Sequence, residues 1–111
     1  MNANPALLSL SDIASQAHAK IQQDYEHINP VIGVIQGMRK VGIPADAITI
    51  DCLVSNKRIL IILHDDYPKI IRYQFTFSDQ DPADDYQEAV LADVTSEAVY
   101  GWIEEYFFIV K

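Results

Sequence analysis

The sequence predicts an α+β fold with two N-terminal helices, an antiparallel meander of three strands and one C-terminal helix, arranged as a two-layer sandwich. Three observations lead to this prediction. Apolar residues recur at three- and four-residue steps before residue 42, alternate with polar residues over 48–77, and form a wide helical stripe after Thr95. The chain has 111 residues, of which 50% are hydrophobic, so we expect 1–111 to form a single domain. Residues 1–8 are expected to be a flexible arm.

The first helix is predicted to begin near Ser9, which stands three residues before Asp12, as in an N-terminal capping box. The apolar stripe of this helix consists of Leu10, Ile13, Ala14, Ala17, Ile21 and Ile28. Asn29-Pro30 interrupts the stripe, because the residue before a proline avoids helical backbone angles. The first helix is therefore expected to end before Pro30.

A second helix is predicted over 30–41. Asn29 is a favourable N-cap, and proline is well tolerated as a first helical residue. The segment is apolar on much of its surface, although Gly33 and Gly37 each weaken a helix by about 1 kcal/mol relative to alanine. Gly42 is expected to end the helix in the left-handed conformation, followed by Ile43 and Pro44.

The pattern of residues 48–77 is that of a sheet. Ile48, Ile50, Cys52 and Val54 alternate with other residues, which predicts a half-buried strand. Residues 59–63 are all apolar, so the second strand is predicted to be central and covered on both faces. Alternation over 70–77 predicts a third strand. Asp51 is expected either to face Arg58 or Arg72 across the sheet or to be exposed.

The last part of the chain predicts one further helix. Residues 86–92 fit either a short fourth strand or a helical turn, and we favour the strand. Thr95 is expected to cap a helix whose apolar stripe consists of Ala98, Val99, Trp102, Ile103, Tyr106, Phe107 and Val110. Tyr100 and Phe108 lie off this stripe and are candidates for an exposed aromatic patch.

The net charge of the chain lies in its last third. Residues 78–111 contain nine acidic residues and one basic residue, which accounts for the whole formal charge of −8. Residues 1–77 contain seven acidic and seven basic residues. Nucleic acids and anionic membranes both require a basic surface, so this distribution disfavours them as partners. The order helix, three strands, helix resembles double-stranded-RNA-binding domains, but the glutamates of the last helix disfavour RNA binding.

These features predict a small non-enzymatic protein-binding or regulatory module of an adaptor, chaperone-like, antitoxin or immunity type. An acidic surface with aromatic side chains suits a protein interface, where charge speeds association and selects partners. The expected contact residues are Asp84, Asp85, Glu88, Tyr100, Glu104, Glu105 and Phe108. One cysteine and no basic leader segment fit a cytoplasmic protein.

The alternative is a small enzyme or divalent-metal site at His64-Asp65-Asp66, since imidazole and carboxylate groups bind metals and transfer protons. Consecutive side chains on a strand point to opposite faces, which favours a solvated turn instead. Cys52 is expected to be a small core residue. The sequence contains no cofactor-binding motif, and we expect no cofactor and no metal ligands beyond these weak candidates.

The central strand also predicts self-association. Leu60 and Ile62 are expected on one face of the sheet, and Ile59, Ile61 and Leu63 on the other. If the helices cover only one face, the other exposes apolar side chains, which is unusual for a monomer. We therefore expect either a homodimer through that sheet face or helices split across both faces, with wrapping by the chain itself as the alternative.

Overall fold

The computed structural model describes residues 5–25, 30–53, 55–80 and 85–107. The elements in chain order are α1 (Pro5–Asp24), β1 (Val31–Ile35), a first 3₁₀ helix (Gly37–Val41), β2 (Ala45–Asp51), β3 (Lys57–His64), β4 (Ile70–Phe77), β5 (Gln87–Val90), a second 3₁₀ helix (Leu91–Asp93) and α2 (Ser96–Phe107). The protein is thus α+β, as the sequence predicts. No helix in these ranges is long and apolar enough to cross a membrane.

The strands form one antiparallel sheet in the order β1-β2-β3-β4-β5, so each strand pairs with its neighbour in sequence. Ile61 lies opposite Ile48 on one side and Tyr73 on the other. Leu60, which points to the other face, lies opposite Thr49 and Gln74. The separation of odd and even residues of β3 between the two faces is confirmed.

Both helices pack on one face of the sheet, which we call the helix face. The buried cluster contains residues of both helices and of three strands: Leu7, Leu10, Ala14, Ala17, Ile21, Ile48, Ile50, Ile59, Ile61, Ile71, Val99, Ile103 and Phe107. Each fully buried aliphatic side chain contributes about 1.5–3 kcal/mol relative to exposure. The apolar stripe of α1, which contains Leu10, and the apolar stripe of α2, which contains Val99, therefore face the sheet.

Aromatic contacts fix α2 over β4. The ring of Trp102 stacks on Tyr73 with 4.3 Å between centroids, and that of Tyr106 stacks on Phe75 at 4.9 Å. The Tyr106 hydroxyl donates a 2.6 Å hydrogen bond to the carbonyl of Thr76. Burial raises the pKa of Tyr106 above its ordinary value. At the start of α2, the Thr95 hydroxyl oxygen accepts from the Ala98 amide at 3.1 Å, as a capping residue does.

The predicted second helix over 30–41 is wrong. Residues 31–35 form strand β1 and 37–41 form a 3₁₀ helix. The apolar run is rich in β-branched residues, which favour strands, and pairing with β2 outweighs its capacity to form a helix. Gly33 permits this pairing, because a Cβ built at Gly33 would lie 2.9 Å from Oγ1 of Thr49. The expected left-handed Gly42 is confirmed, with φ of 88°.

The start of α1 and the number of strands also differ from the prediction. α1 begins at Pro5 rather than near Ser9, so Ser9 lies inside the helix. Leu7, placed by the sequence in a flexible arm, is buried in the core, and its burial against the sheet stabilises the first turns. The sheet has five strands, where the sequence predicts three and a possible fourth. The favoured strand over 86–92 exists as β5, whereas β1 was not expected.

The middle of the second face of the sheet is buried within a single chain, whereas its edges at Val31, Ile35 and Val90 are exposed. Its buried residues are Ala45, Ala47, Thr49, Leu60, Gln74 and Thr76. A pocket of about 210 Å³ on this face is bordered by Met38, Ile43, Tyr67 and Tyr86, which come from three different connecting segments. The helices are therefore not split across the sheet, and loops of the same chain border the second face.

Candidate functional site

A candidate site is formed by a groove between α1 and α2, which we call the helix groove. Its volume is about 500 Å³. It is lined by Gln16, Ala17, Lys20, Asp24, Ser96, Glu97, Tyr100, Gly101 and Glu104. Gly101 leaves room between the helices, because a Cβ built at this position would meet no atom within 4 Å. The groove is large enough for a protruding side chain of a partner.

Two hydrogen bonds, which we call the tyrosine clasp, join the helices at one end of the groove. The Tyr25 hydroxyl donates to Oε2 of Glu104, and the Tyr100 hydroxyl donates to Oδ2 of Asp24, both at 2.6 Å. The hydrogen bond to Glu104 raises the pKa of Tyr25, and the hydrogen bond to Asp24 raises that of Tyr100. The clasp holds two carboxylates at fixed positions beside the groove.

The groove has an excess of negative charge. Asp24, Glu97 and Glu104 contribute carboxylates, and Lys20 is the basic residue among those that line it. The Lys20 ammonium lies 3.7 Å from Oδ2 of Asp24, and both side chains are partly exposed. A guanidinium or ammonium group entering the groove would therefore meet oriented carboxylates, with tyrosine hydroxyls beside them.

The structure divides the predicted contact residues between two places. Tyr100 and Glu104 line the helix groove, and Glu105 is exposed on the same helix. Asp85 and Glu88 lie instead at β5, where Glu88 accepts a 3.2 Å hydrogen bond from Nε of Arg72. Asp84 and Phe108 lie outside the described residues.

Sequence reasoning missed the contribution of α1 to this site. Asp24 is the last residue of α1 and Tyr25 follows it, and their hydrogen-bond partners are 76 and 79 residues away in sequence. The spacing of Tyr100 and Glu104, one helical turn apart, places them on the same side of α2. No local pattern indicates that α1 supplies the matching hydroxyl and carboxylate.

The turn that follows β3 does not bring its three polar residues together. Asp65 is bound by Arg39 through two hydrogen bonds of 2.8 Å. His64 accepts a 3.1 Å hydrogen bond at Nδ1 from the amide of Asp66. The Arg39 guanidinium holds the pKa of the Asp65 carboxyl below its usual range. Among the described residues, no group of three histidine, cysteine or acidic side chains is placed to hold a metal ion.

Arg39 also binds a carboxylate that the sequence did not single out. Its Nε and Nη2 each donate a 2.8 Å hydrogen bond to Asp46, whose side chain is 0% exposed. Of the alternatives expected for Asp51, the pairing with Arg58 across β2 and β3 is present, with hydrogen bonds of 2.7 and 3.0 Å. Cys52 is buried in the core, as expected.

Comparison with known proteins gives no functional assignment. No protein-family model, curated protein or solved structure matches the chain. The helix groove and the surfaces around it are therefore interpreted from their own chemistry.

Proposed function

We propose that the protein is a non-enzymatic protein-binding module whose helix groove receives a basic segment of a partner. The single observation that supports this function is the groove itself, where carboxylates of both helices surround a cleft of about 500 Å³. Charge complementarity of this kind increases the association rate and selects against acidic partners. The finer predictions from the sequence, an adaptor, chaperone-like, antitoxin or immunity type, are each compatible with such a surface.

The clasp supports the proposal because it positions charge before a partner arrives. Tyr25 and Tyr100 each donate to a carboxylate, yet a carboxylate oxygen has further acceptor capacity. A lysine or arginine of the partner can therefore bind Glu104 or Asp24 while the clasp stays intact. Fixed side chains lose less conformational entropy on binding than free ones do.

The proposal is tested with a fluorescent deca-lysine peptide as the probe, measured by anisotropy at low ionic strength. Glu97→Gln together with Glu104→Gln removes two charges from the groove. Each exposed ion pair contributes up to about 1 kcal/mol. The double variant should therefore bind about tenfold more weakly than the wild type.

The matched control is Asp66→Asn together with Asp79→Asn, which changes the net charge equally at exposed positions that lie outside the groove and outside the predicted contact residues. This control should keep most of the wild-type affinity. Equal weakening in both double variants would mean that the probe responds only to overall charge, and the groove would be rejected as a binding site. Absence of binding to the wild type would also reject it.

A second candidate function is that of a small enzyme or divalent-metal site at His64-Asp65-Asp66, and one observation favours it. His64 lines the pocket on the second face together with Arg72 and Tyr67. The pocket, at about 210 Å³, lies below the roughly 300 Å³ at which small-molecule sites begin. We therefore place this function behind protein binding. This second function would be supported only if a ligand that stabilises the wild type against unfolding failed to stabilise the His64→Ala variant.

We further propose that the protein forms a homodimer. The sequence places this contact on the second sheet face, because that face was expected to be exposed. Leu60 and five other residues of the face are already buried in one chain, so the middle of this face offers a second copy little exposed apolar surface. A contact between two copies is therefore better placed at an edge of the sheet.

A further inference from the structure

β1 is an edge strand with an unusually apolar exposed surface. It is the outermost strand of the sheet, and its residues are Val-Ile-Gly-Val-Ile. Val31, Val34 and Ile35 are 44%, 46% and 40% exposed. The strand contains no charged side chain.

The backbone of β1 is regular along its whole length. All five residues pair with β2 in an unbroken register from Val31 opposite Asp51 to Ile35 opposite Ala47. Among the described residues, none pairs with the other side of β1. An edge strand of this kind offers unpaired backbone amides and carbonyls to another strand, and proteins usually protect such edges with lysine, proline or a bulge. None of these devices occurs within 31–35.

We propose that β1 pairs with β1 of a second copy of this chain, antiparallel, about a two-fold axis at Gly33. This arrangement joins the two sheets into one sheet of ten strands. Two-fold contacts of one surface with itself are the commonest form of protein dimer. The proposal is independent of the helix groove, since no residue that lines the groove belongs to β1.

The sequence of β1 is self-complementary in this register. With Gly33 opposite its own counterpart, Val31 lies opposite Ile35 of the partner copy and Ile32 opposite Val34 of the partner copy. Each of these pairs joins residues of the same sheet face, because directly opposite residues in an antiparallel pair point to the same side. A shift of the axis to Ile32 or Val34 would form only three pairs within the strand instead of five.

The charge distribution permits this contact. Two copies that each carry a net charge of −8 repel one another, and the whole of that charge lies in residues 78–111. The segment that contains β1 is neutral overall, so this edge allows two copies to meet without juxtaposing like charges. The association should therefore persist or strengthen when salt is added, whereas an interface built on ion pairs would weaken.

Solution mass tests the proposal. Size exclusion with light scattering should give twice the chain mass of 12.5 kDa at high protein concentration. Val34→Lys places a charge on the edge and should weaken the dimer at least about tenfold. The matched control is Val41→Lys, because Val41 is 75% exposed and lies outside the strand. This control should remain dimeric.

Disulfide formation tests the register. Val31→Cys with Ile35→Cys places two thiols about 13 Å apart in one chain, which is too far for an internal bond. Mild oxidation should therefore give covalent dimers, while Val31→Cys alone should give few, since the two Val31 positions are not opposite one another. Cys52 is buried in both variants and should not contribute.

The outcomes separate the alternatives. A wild type that is monomeric up to about 1 mM rejects the proposal, and the edge would then be free for a strand of a different protein. A dimer that Val34→Lys leaves intact, or that the paired cysteines fail to trap, also rejects it. The groove variants Glu97→Gln and Glu104→Gln should not change the mass, so failure of the proposed function and failure of the dimer are distinguishable.

Discussion

The two edges of the sheet are built in opposite ways. β1 has five residues, no charge and three exposed aliphatic side chains. β5 has four residues and contains Glu88, which is bound to Arg72 of the neighbouring strand. Both strands end the same sheet and differ in length by one residue, yet only β5 has a charged side chain of the kind that disfavours pairing with another chain. The β5 edge is therefore protected against pairing with another strand, and the β1 edge is available for it.

The same contrast extends to the surfaces beside the edges. The second 3₁₀ helix after β5 adds the exposed Asp93, and α2 adds the exposed Glu97, Glu104 and Glu105. The connection after β1 contains Arg39, which is engaged by two carboxylates. The molecule thus has a neutral edge suited to a second copy and an acidic side suited to a basic partner.

The largest effect on the free energy of unfolding is expected at Arg39, which anchors the connection after β1. Arg39→Ala leaves the fully buried carboxylate of Asp46 without its guanidinium partner. Removing one member of such a pair costs about 3 kcal/mol, because the remaining charge stays in a poorly solvated site. Urea denaturation at neutral pH should show this loss in the free energy of unfolding. Since Arg39 lies in the 3₁₀ helix that follows β1, the variant should also weaken the dimer.

Asp65→Ala is the matched control for this prediction. It removes the other carboxylate that Arg39 binds, but the Asp65 side chain is 43% exposed. Exposed ion pairs contribute at most about 1 kcal/mol, so the free energy of unfolding should change little. If Arg39→Ala costs no more than Asp65→Ala, the buried pair does not anchor β1.

The difference between the edges could be predicted only in part from the sequence. The meander of β2, β3 and β4 follows from alternation and from the apolar run of β3, which are local patterns. The apolar run of β1 fits a buried helix or a strand equally well. Its pairing with β2 decides between them, and that contact is a property of the folded chain.

The candidate site was predictable in composition but not in geometry. The acidic C-terminal third is evident from the charge pattern, and Tyr100 and Glu104 were correctly placed on the last helix. The clasp joins them to Tyr25 and Asp24 through contacts separated by 76 and 79 residues. Contacts at such separation depend on how the two helices pack over the sheet, which no single stretch of sequence encodes.

The next effect is expected at the β5 edge, where a substitution of Glu88 removes the protecting charge. Glu88→Val leaves β5 without charge and should cost less than about 1 kcal/mol, because the pair with Arg72 is exposed. A dimer joined through β1 has a β5 edge at each end, so pairing of these edges produces open chains of dimers. Light scattering at increasing protein concentration should therefore show species larger than the wild type forms.

Glu105→Val is the control for this change, since it also replaces an exposed glutamate by valine, but on α2, away from any strand edge. The control should keep the wild-type mass. An unchanged mass for Glu88→Val would mean that the charge of Glu88 is not the feature that protects β5 from pairing.

The smallest effect concerns pH, and it distinguishes the acidic side from the neutral edge. The clasp raises the pKa of Tyr25 and of Tyr100 above the ordinary value of 10.0. The unfolded chain therefore loses its tyrosine protons first, and the contribution of the clasp to stability is complete below pH 10. It is lost as the pH rises from 10 through the raised values of the folded protein. Tyr25→Phe with Tyr100→Phe should make the loss of stability above pH 10 shallower than in the wild type.

Urea denaturation between pH 8 and pH 11, a range that brackets the ordinary tyrosine pKa of about 10, measures this difference. Tyr67→Phe is the control, because Tyr67 is an exposed tyrosine that lines the pocket on the second face, and it should retain the wild-type dependence. β1 has no titratable side chain, so the dimer mass of the folded protein should stay constant over the same range. A dimer that dissociates in parallel with tyrosine ionisation would place the contact between copies on the acidic helices, and the contrast between the two edges would then have to be abandoned.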